Sequence, residues 1–156
     1  MINYVGYMMD SYMLFTLQIM RQSWWKRDFA KILFYGYRLV RLMLMDCSSA
    51  QLENLVAIEL IRRYGRENVF YFEKNVEIDF LCSRRKLAIQ VSLQVLDQID
   101  TREREIGAFV KLKNFIGDAT CLLITNSEEE ELDYEGVHVS VVPVWKWLLQ
   151  NRKQDI

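Results

Sequence analysis

Two neighbouring segments alternate apolar and polar residues, which is the period-two pattern of half-buried β-strands. They are Val76–Leu81 and Leu87–Ser92, and the short basic turn 83–86 separates them. Each strand is predicted to gather its apolar side chains on one face: Val76, Ile78 and Phe80 on the first, and Leu87, Ile89, Val91 and Leu93 on the second. Because the turn is short and polar, the two strands are expected to form an antiparallel hairpin.

A turn centred on residues 84 and 85 would place Asp79 opposite Gln90 and Glu77 opposite Ser92. Directly opposed side chains on one sheet face have Cβ atoms about 5 Å apart. An acid and an amide carbonyl at that spacing could share one hard cation through oxygen, as in a divalent-metal nuclease site. The alternative is an ordinary solvated sheet face, and from these two strands alone it is the stronger interpretation.

A helix is predicted to begin at the segment Ser48–Gln51, which fits a capping box, and to end at Gly65. Within it, Glu59 precedes Arg62 and Arg63 by three and four residues, so a surface ion pair explains this glutamate.

Glu53 differs, because Val56 and Ala57 occupy the equivalent positions and no charged partner follows along the helix. A carboxylate among apolar neighbours is costly unless another group pairs with it. Glu53 is therefore a candidate site residue, and a solvated first turn favoured by the helix dipole is the alternative.

The N-terminal part is predicted to contain a helix over residues 2–12 and strands over residues 12–17 and 29–37. The basic turn 21–27 between these strands contains Trp24 and Trp25. Such a segment could contact a nucleic-acid backbone and stack on bases. Packing of the tryptophans on a neighbouring surface, a protein partner or a second copy is the alternative.

The remaining elements follow from the same patterns and from capping residues. We predict a strand over Val69–Phe72, a helix from its N-cap Asp100 to near Gly117, a strand over Thr120–Thr125, a solvated acidic loop over Glu128–Asp133, a strand over Val137–Val142 and, after Pro143, a helix over Val144–Leu149.

The composition narrows the function classes. With 156 residues, 51% of them hydrophobic, the chain suits one domain with a small appendage. Its net charge of -1 predicts no general electrostatic attraction to nucleic acid. Three scattered cysteines, Cys47, Cys82 and Cys121, and a single histidine disfavour a zinc site or a disulfide framework, so free thiols in a reducing cytoplasm are expected. The N-terminal segment, residues 1–20, is rich in apolar residues, but polar residues interrupt it too often for a membrane span. The chain contains no P-loop motif.

Three elements in order resemble the restriction-endonuclease-like, PD-(D/E)xK superfamily: Glu53 on a helix, Asp79 on a strand, and Gln90 with Ser92 on the next strand. The resemblance implies an α/β fold with an αβββαβ core, a mixed sheet flanked by helices. It also implies catalytic roles for Glu53, Asp79, Gln90 and Ser92, with Glu53, Asp79 and Gln90 as ligands of Mg²⁺ or Mn²⁺ if the site is active.

A more specific resemblance covers residues 50–149. The matching segments are Leu52–Leu60, Glu77–Phe80, Ile89–Ser92, Thr101–Glu105, Leu123–Thr125 and Pro143–Leu148. They resemble the C-terminal DUF4143 region of prokaryotic AAA-type ATPases. In that family a winged helix precedes this region, and the segments 12–15 and 31–35 resemble its end, a wing hairpin over residues 12–36. The implied division is a partial winged-helix-like segment, residues 1–46, followed by a restriction-endonuclease-like domain, residues 47–156.

The chain departs from this pattern in two ways. The ATPase module is absent, so no ATPase activity is expected. The family's site ends in (D/E)-x-K, whereas this chain has Gln90 and Ser92, and serine cannot supply the lysine charge that activates water beside a metal. Arg102, Arg104 or Lys111 on the next helix could substitute for that charge.

These departures favour a catalytically degenerate nuclease-fold domain that acts as a binding module for DNA or a protein. The alternative is a Mg²⁺-dependent DNA endonuclease or junction-cleaving phosphodiesterase. A third interpretation is a fragment whose N-terminal aromatic residues seek a partner or another copy of the chain. No membrane association is expected.

Overall fold

In the computed structural model, residues 14–20, 29–34, 48–96 and 99–150 are described. Their elements are β1 (Leu14–Met20), β2 (Phe29–Phe34), α1 (Ser48–Tyr64), β3 (Val69–Glu73), β4 (Glu77–Cys82), β5 (Leu87–Val91), α2 (Ile99–Ile116), β6 (Thr120–Thr125), β7 (Glu130–Tyr134), β8 (Val137–Pro143) and α3 (Val144–Leu149). The strands form one mixed sheet in the order β2-β1-β3-β4-β5-β6-β8-β7. The predicted α/β class, a mixed sheet flanked by helices, is therefore confirmed.

Two apolar layers cover the faces of this sheet. Leu60 of α1 and Trp147 of α3 pack with Phe80 on one face. Phe109 of α2 packs with Ile78 and Leu123 on the other. Because both faces are covered, the central strands are buried on both sides, and the polar side chains that they carry need internal hydrogen-bond partners.

The predicted β4–β5 hairpin is confirmed in its antiparallel pairing. Phe80 pairs with Ile89 and Cys82 with Leu87, so the register is that of a turn centred on residues 84 and 85. β5 pairs in parallel with β6, and β6 pairs in parallel with β8. β7 pairs antiparallel with β8 and forms the edge of the sheet.

The prediction that Ile78 and Phe80 share a face is wrong, because β4 contains an irregularity. Phe70 of β3 pairs with Leu81 and Phe72 pairs with Ile78, so three steps on β4 oppose two on β3, as in a β-bulge. Ile78 consequently packs on the α2 side and Phe80 on the α1 side. The four apolar side chains predicted to share one face of β5 do pack together on the α1 side.

The helix boundaries follow the capping signals closely. α1 begins at Ser48 and ends before Gly65, whose φ of 79° is the left-handed conformation typical of a helix end. α2 ends before Gly117, but it begins at Ile99, so Asp100 lies in its first turn and not at the predicted N-cap position. β6 and α3 match their predicted bounds.

The acidic run predicted to be a solvated loop contributes the edge strand β7. Its side chains point outward except that of Leu132, which is buried against α2. Backbone pairing with β8 and burial of one leucine therefore outweigh the low strand propensity of acidic residues. Charged residues on an edge strand also discourage pairing with other chains.

The predicted N-terminal hairpin is present, with β1 antiparallel to β2 and Leu14 paired with Phe34. β1 also pairs in parallel with β3, so this hairpin extends the main sheet. The predicted helix over residues 2–12 and the basic turn 21–27 lie outside the described residues, and the division at residue 46 stays a prediction. No helix among the described segments combines the length and apolar character needed to cross a bilayer.

The predicted ion pairs of Glu59 with Arg62 and Arg63 are confirmed, and Arg63 links them to α3. It accepts hydrogen bonds at 2.7 Å from Arg62 and from Arg63. Arg63 donates to the backbone carbonyl of Trp147 at 3.0 Å, and its guanidinium lies 4.5 Å from the centre of the Trp147 ring. The hydrogen bond from Arg62, with the bond and charge of Arg63, lowers the pKa of Glu59 from 4.5 to about 2.

Replacing this carboxylate should therefore destabilise the fold in a pH-dependent way. We expect Glu59→Gln to lower the free energy of unfolding by about 2 kcal/mol at pH 7, because Arg63 loses its anionic partner. Since the pKa is lowered in the folded state, this contribution is complete above pH 4.5 and is lost as the pH falls toward 2. Urea unfolding at pH 7 and pH 3 measures it. Glu130→Gln, on the exposed edge, is the control, and an equal loss at both pH values would contradict the ion pair.

Candidate functional site

A polar cleft of about 450 Å³ lies just beyond the last paired residues of β4 and β5, next to the start of α1 and the first half of α2. All four residues predicted from the sequence, Glu53, Asp79, Gln90 and Ser92, line this one cleft. The structure thus brings together the helix glutamate and the strand residues, although Glu53 and Ser92 are 39 positions apart in the chain.

Asp79 and Gln90 hold β4 and β5 together just beyond the backbone ladder, whose paired residues nearest the cleft are Phe80 and Ile89. The backbone N–H of Asp79 donates to Gln90 Oε1 at 2.8 Å, and Gln90 Nε2 donates to the carbonyl of Glu77 at 3.1 Å. In the reverse direction, the backbone N–H of Val91 donates to Asp79 Oδ2 at 2.9 Å. Each side chain therefore replaces ladder bonds that the two backbones do not make.

The chemistry of these bonds explains why residue 90 is an amide. Its oxygen faces an N–H and its nitrogen faces a carbonyl, so a carboxylate there could satisfy the first partner but not the second. Asp79 and Gln90 are only 8% and 5% exposed, so the prediction of a solvated face at these positions is wrong. The bulge and the side-chain bonds place them inside the protein.

Glu105 is a site residue that the sequence reading missed. It lines the cleft from α2, is 8% exposed, and accepts hydrogen bonds from Arg104 at 2.6 and 3.2 Å. Burial raises its pKa, and the neighbouring carboxylates of Asp79 and Glu53 raise it further. Its spacing of four and seven residues from the core positions Phe109 and Leu112 was the signal available in the sequence.

The cleft is acidic overall. Five carboxylates line it, against two cations: Glu53, Glu77, Asp79, Glu103 and Glu105 against Arg104 and Lys111. Of the three cations considered as substitutes for the missing lysine, Arg104 and Lys111 are at the cleft, and Arg102 is not among its lining residues. Arg104 is engaged with Glu105. A phosphate group would meet more repulsion than attraction here.

Ser92 lines the cleft directly after β5, at the start of the loop that follows this strand. Its N–H donates to the carbonyl of Ile124 at 3.0 Å, and its hydroxyl donates to the carbonyl of Gln94 at 3.2 Å. The loop is fixed from the other side by Glu128, whose carboxylate accepts the N–H groups of Val95 and Leu96 at 2.6 and 3.1 Å. Ser92 is thus held in place but contributes no charge.

These residues do not fit a divalent-metal centre built from several anionic ligands. Among the described residues, no group of three or more His, Cys, Asp or Glu side chains is placed to hold one ion. The Gln90 carbonyl already accepts a backbone N–H. The metal-ligand roles of Glu53, Asp79 and Gln90 stay predictions.

Family relationships provide no further assignment of the site. No protein-family model, curated protein or solved structure matches this chain. The function must therefore be inferred from the geometry and charges of the cleft.

The Gln90 bonds predict a specific stability loss. Gln90→Ala should lower the free energy of unfolding by about 2–4 kcal/mol, because the buried N–H of Asp79 and the partly buried carbonyl of Glu77 lose their partners. Chemical denaturation measures the change. Gln94→Ala, which removes an exposed glutamine four residues later, is the matched control and should stay within about 0.5 kcal/mol. Similar losses in both variants would mean that the Gln90 amide does not join the strands.

The raised pKa of Glu105 predicts a gain in stability on its neutralisation. Because an acid with a raised folded pKa binds protons more tightly in the folded state, its penalty grows as the pH rises above its ordinary value of 4.5. Glu105→Gln should therefore raise the melting temperature more at pH 8 than at pH 4. Glu103→Gln, an exposed cleft residue on the same helix, is the control. Destabilisation of Glu105→Gln at pH 8 would show that the ion pair with Arg104 outweighs burial and repulsion.

Proposed function

We propose that this chain is a catalytically degenerate nuclease-fold domain of the PD-(D/E)xK type, similar to the C-terminal DUF4143 region of AAA-type ATPases, and that it acts as a binding module for nucleic acid or protein. The observation that carries the proposal is the reciprocal bonding of Asp79 and Gln90. The two strand positions that the resemblance assigns to metal binding are here used to join β4 to β5.

The element order supports the proposed ancestry. α1, β3, β4, β5, α2 and β6 follow one another as helix, three strands, helix and strand, with β3, β4 and β5 antiparallel and β6 parallel to β5. This is the αβββαβ order that the resemblance implies. The convergence of Glu53, Asp79, Gln90 and Ser92 on one cleft supports it as well.

The chemistry of the cleft supports the loss of catalysis. Water activation beside a metal needs anionic ligands and, in this superfamily's motif, a nearby lysine. Residue 90 is a neutral amide that is already hydrogen-bonded, and residue 92 is a serine. Arg104, a nearby cation, is paired with Glu105.

One observation favours the alternative, a Mg²⁺-dependent endonuclease. Glu53, Asp79 and Glu105 supply three carboxylates to the same cleft, and Lys111 lines it too. If rearrangement on binding DNA brought these groups together, a site with a different ligand set would result. This alternative makes the opposite prediction for metal binding and cleavage.

The proposal predicts that the purified chain neither cuts DNA nor binds Mg²⁺ or Mn²⁺ tightly. Supercoiled, linear and branched DNA should stay intact at millimolar concentrations of either ion, and calorimetric titration should detect no metal binding with a dissociation constant below the millimolar range. Asp79→Asn is the informative comparison, because it changes the charge of the cleft with little change in shape. Cleavage or micromolar metal binding that disappears in Asp79→Asn would overturn the proposal and establish the endonuclease alternative.

A further inference from the structure

Four exposed cations gather at the end of the sheet remote from the acidic cleft. Arg84 and Arg85 lie in the 3₁₀ turn Ser83–Arg85 that links β4 to β5, and Lys86 follows them. Arg66 lies in the turn before β3. Because Val69 at the start of β3 pairs with Cys82 at the end of β4, both turns lie at the same end of the sheet. We call these four residues the basic end.

The basic end and the cleft are separated along the same two strands. Ser83 lies four positions after Asp79 along the extended chain, which corresponds to about 13 Å. Acids are also present at this end of the sheet: Glu67 adjoins Arg66, and Asp118 is paired with Lys113 at 3.1 Å. The net charge of the chain is only -1, but exposed cations lie in the turn between β4 and β5 and carboxylates line the cleft at the opposite end of these strands.

Lys86 adopts a backbone conformation that a lysine rarely takes. Its φ and ψ are both 47°, in the left-handed region that costs a side-chain-bearing residue about 1 kcal/mol and that glycine adopts freely. The position closes the turn, so glycine would serve the local geometry better. Strained backbone conformations cluster at functional sites, and here the strain accompanies a long, exposed cationic side chain.

We propose that the basic end contacts the phosphate backbone of a nucleic acid, an inference that rests on the proposed binding function and names the surface that performs it. Guanidinium and ammonium groups on an exposed turn suit phosphates, which the acidic cleft would repel. A protein interface normally needs a central apolar patch. Among the described residues, the exposed large apolar side chains are Leu55, Tyr134, Trp145 and Leu149, none of which belongs to either turn of the basic end.

The test compares DNA binding by the full chain and by Arg84→Gln/Arg85→Gln. Fluorescence anisotropy with a short duplex and a single strand, in EDTA, gives the affinity over a range of salt concentrations. We expect at least about a tenfold loss of affinity at low salt and a decrease of about 2 in the salt slope of log K, one for each lost phosphate contact. Lys74→Gln/Lys146→Gln removes the same charge elsewhere and should change binding much less.

A second variant separates the turn's geometry from its charge. Lys86→Gly should raise the melting temperature, because it relieves the left-handed strain, and should nevertheless weaken DNA binding. Unchanged binding in both Arg84→Gln/Arg85→Gln and Lys86→Gly would overturn the inference, as would equal losses in Lys74→Gln/Lys146→Gln. Binding to polyglutamate without binding to DNA or RNA would assign the basic end to an acidic protein and would also overturn it. Metal-dependent cleavage would refute the proposed loss of catalysis without affecting this comparison.

Discussion

The reciprocal hydrogen bonds of Asp79 and Gln90 determine how β4 and β5 can separate inside a covered sheet. Beyond Phe80 and Ile89, two N–H groups and a carbonyl receive their partners from side chains. The irregularity in β4 at the same place turns Ile78 toward one apolar layer and Phe80 toward the other. Without these bonds, backbone groups would be left unsatisfied at the point where both layers depend on the strand, at a cost of about 1–3 kcal/mol for each buried group.

A neutral amide at residue 90 also limits the charge inside the cleft. Asp79 and Glu105 are both less than a tenth exposed, and burial, with added repulsion from Asp79, already raises the pKa of Glu105. A further carboxylate at residue 90 would add repulsion and would lose the bond to the Glu77 carbonyl. In an active metal site, a bound cation would offset that repulsion. The amide thus avoids the added repulsion and keeps the bond to the Glu77 carbonyl.

Local signals in the sequence predicted much of the fold. The capping segment at Ser48, the glycines at 65 and 117, and the alternation on either side of the basic turn placed α1, the end of α2 and the β4–β5 register correctly. The bulge in β4 depends on pairing with β3, and β7 depends on pairing with β8, so neither could be read from the local pattern. The convergence on one cleft was anticipated for Glu53, Asp79, Gln90 and Ser92, whereas Glu105 was hidden in an ordinary amphipathic helix.

The distribution of charge along β4 and β5 makes the net charge of -1 compatible with the proposed binding of nucleic acid. A net charge dominates the field only at distances larger than the protein itself, and salt screens the field over about 8 Å at physiological ionic strength. The basic end and the acidic cleft lie farther apart than this, so a ligand at either end responds mainly to the local charge. Phosphates at the basic end would gain attraction from Arg84, Arg85 and Lys86 while the carboxylates of the cleft are largely screened. An acidic pI is therefore no argument against nucleic-acid binding by this fold, provided that the contact is made through the turn and not through the cleft.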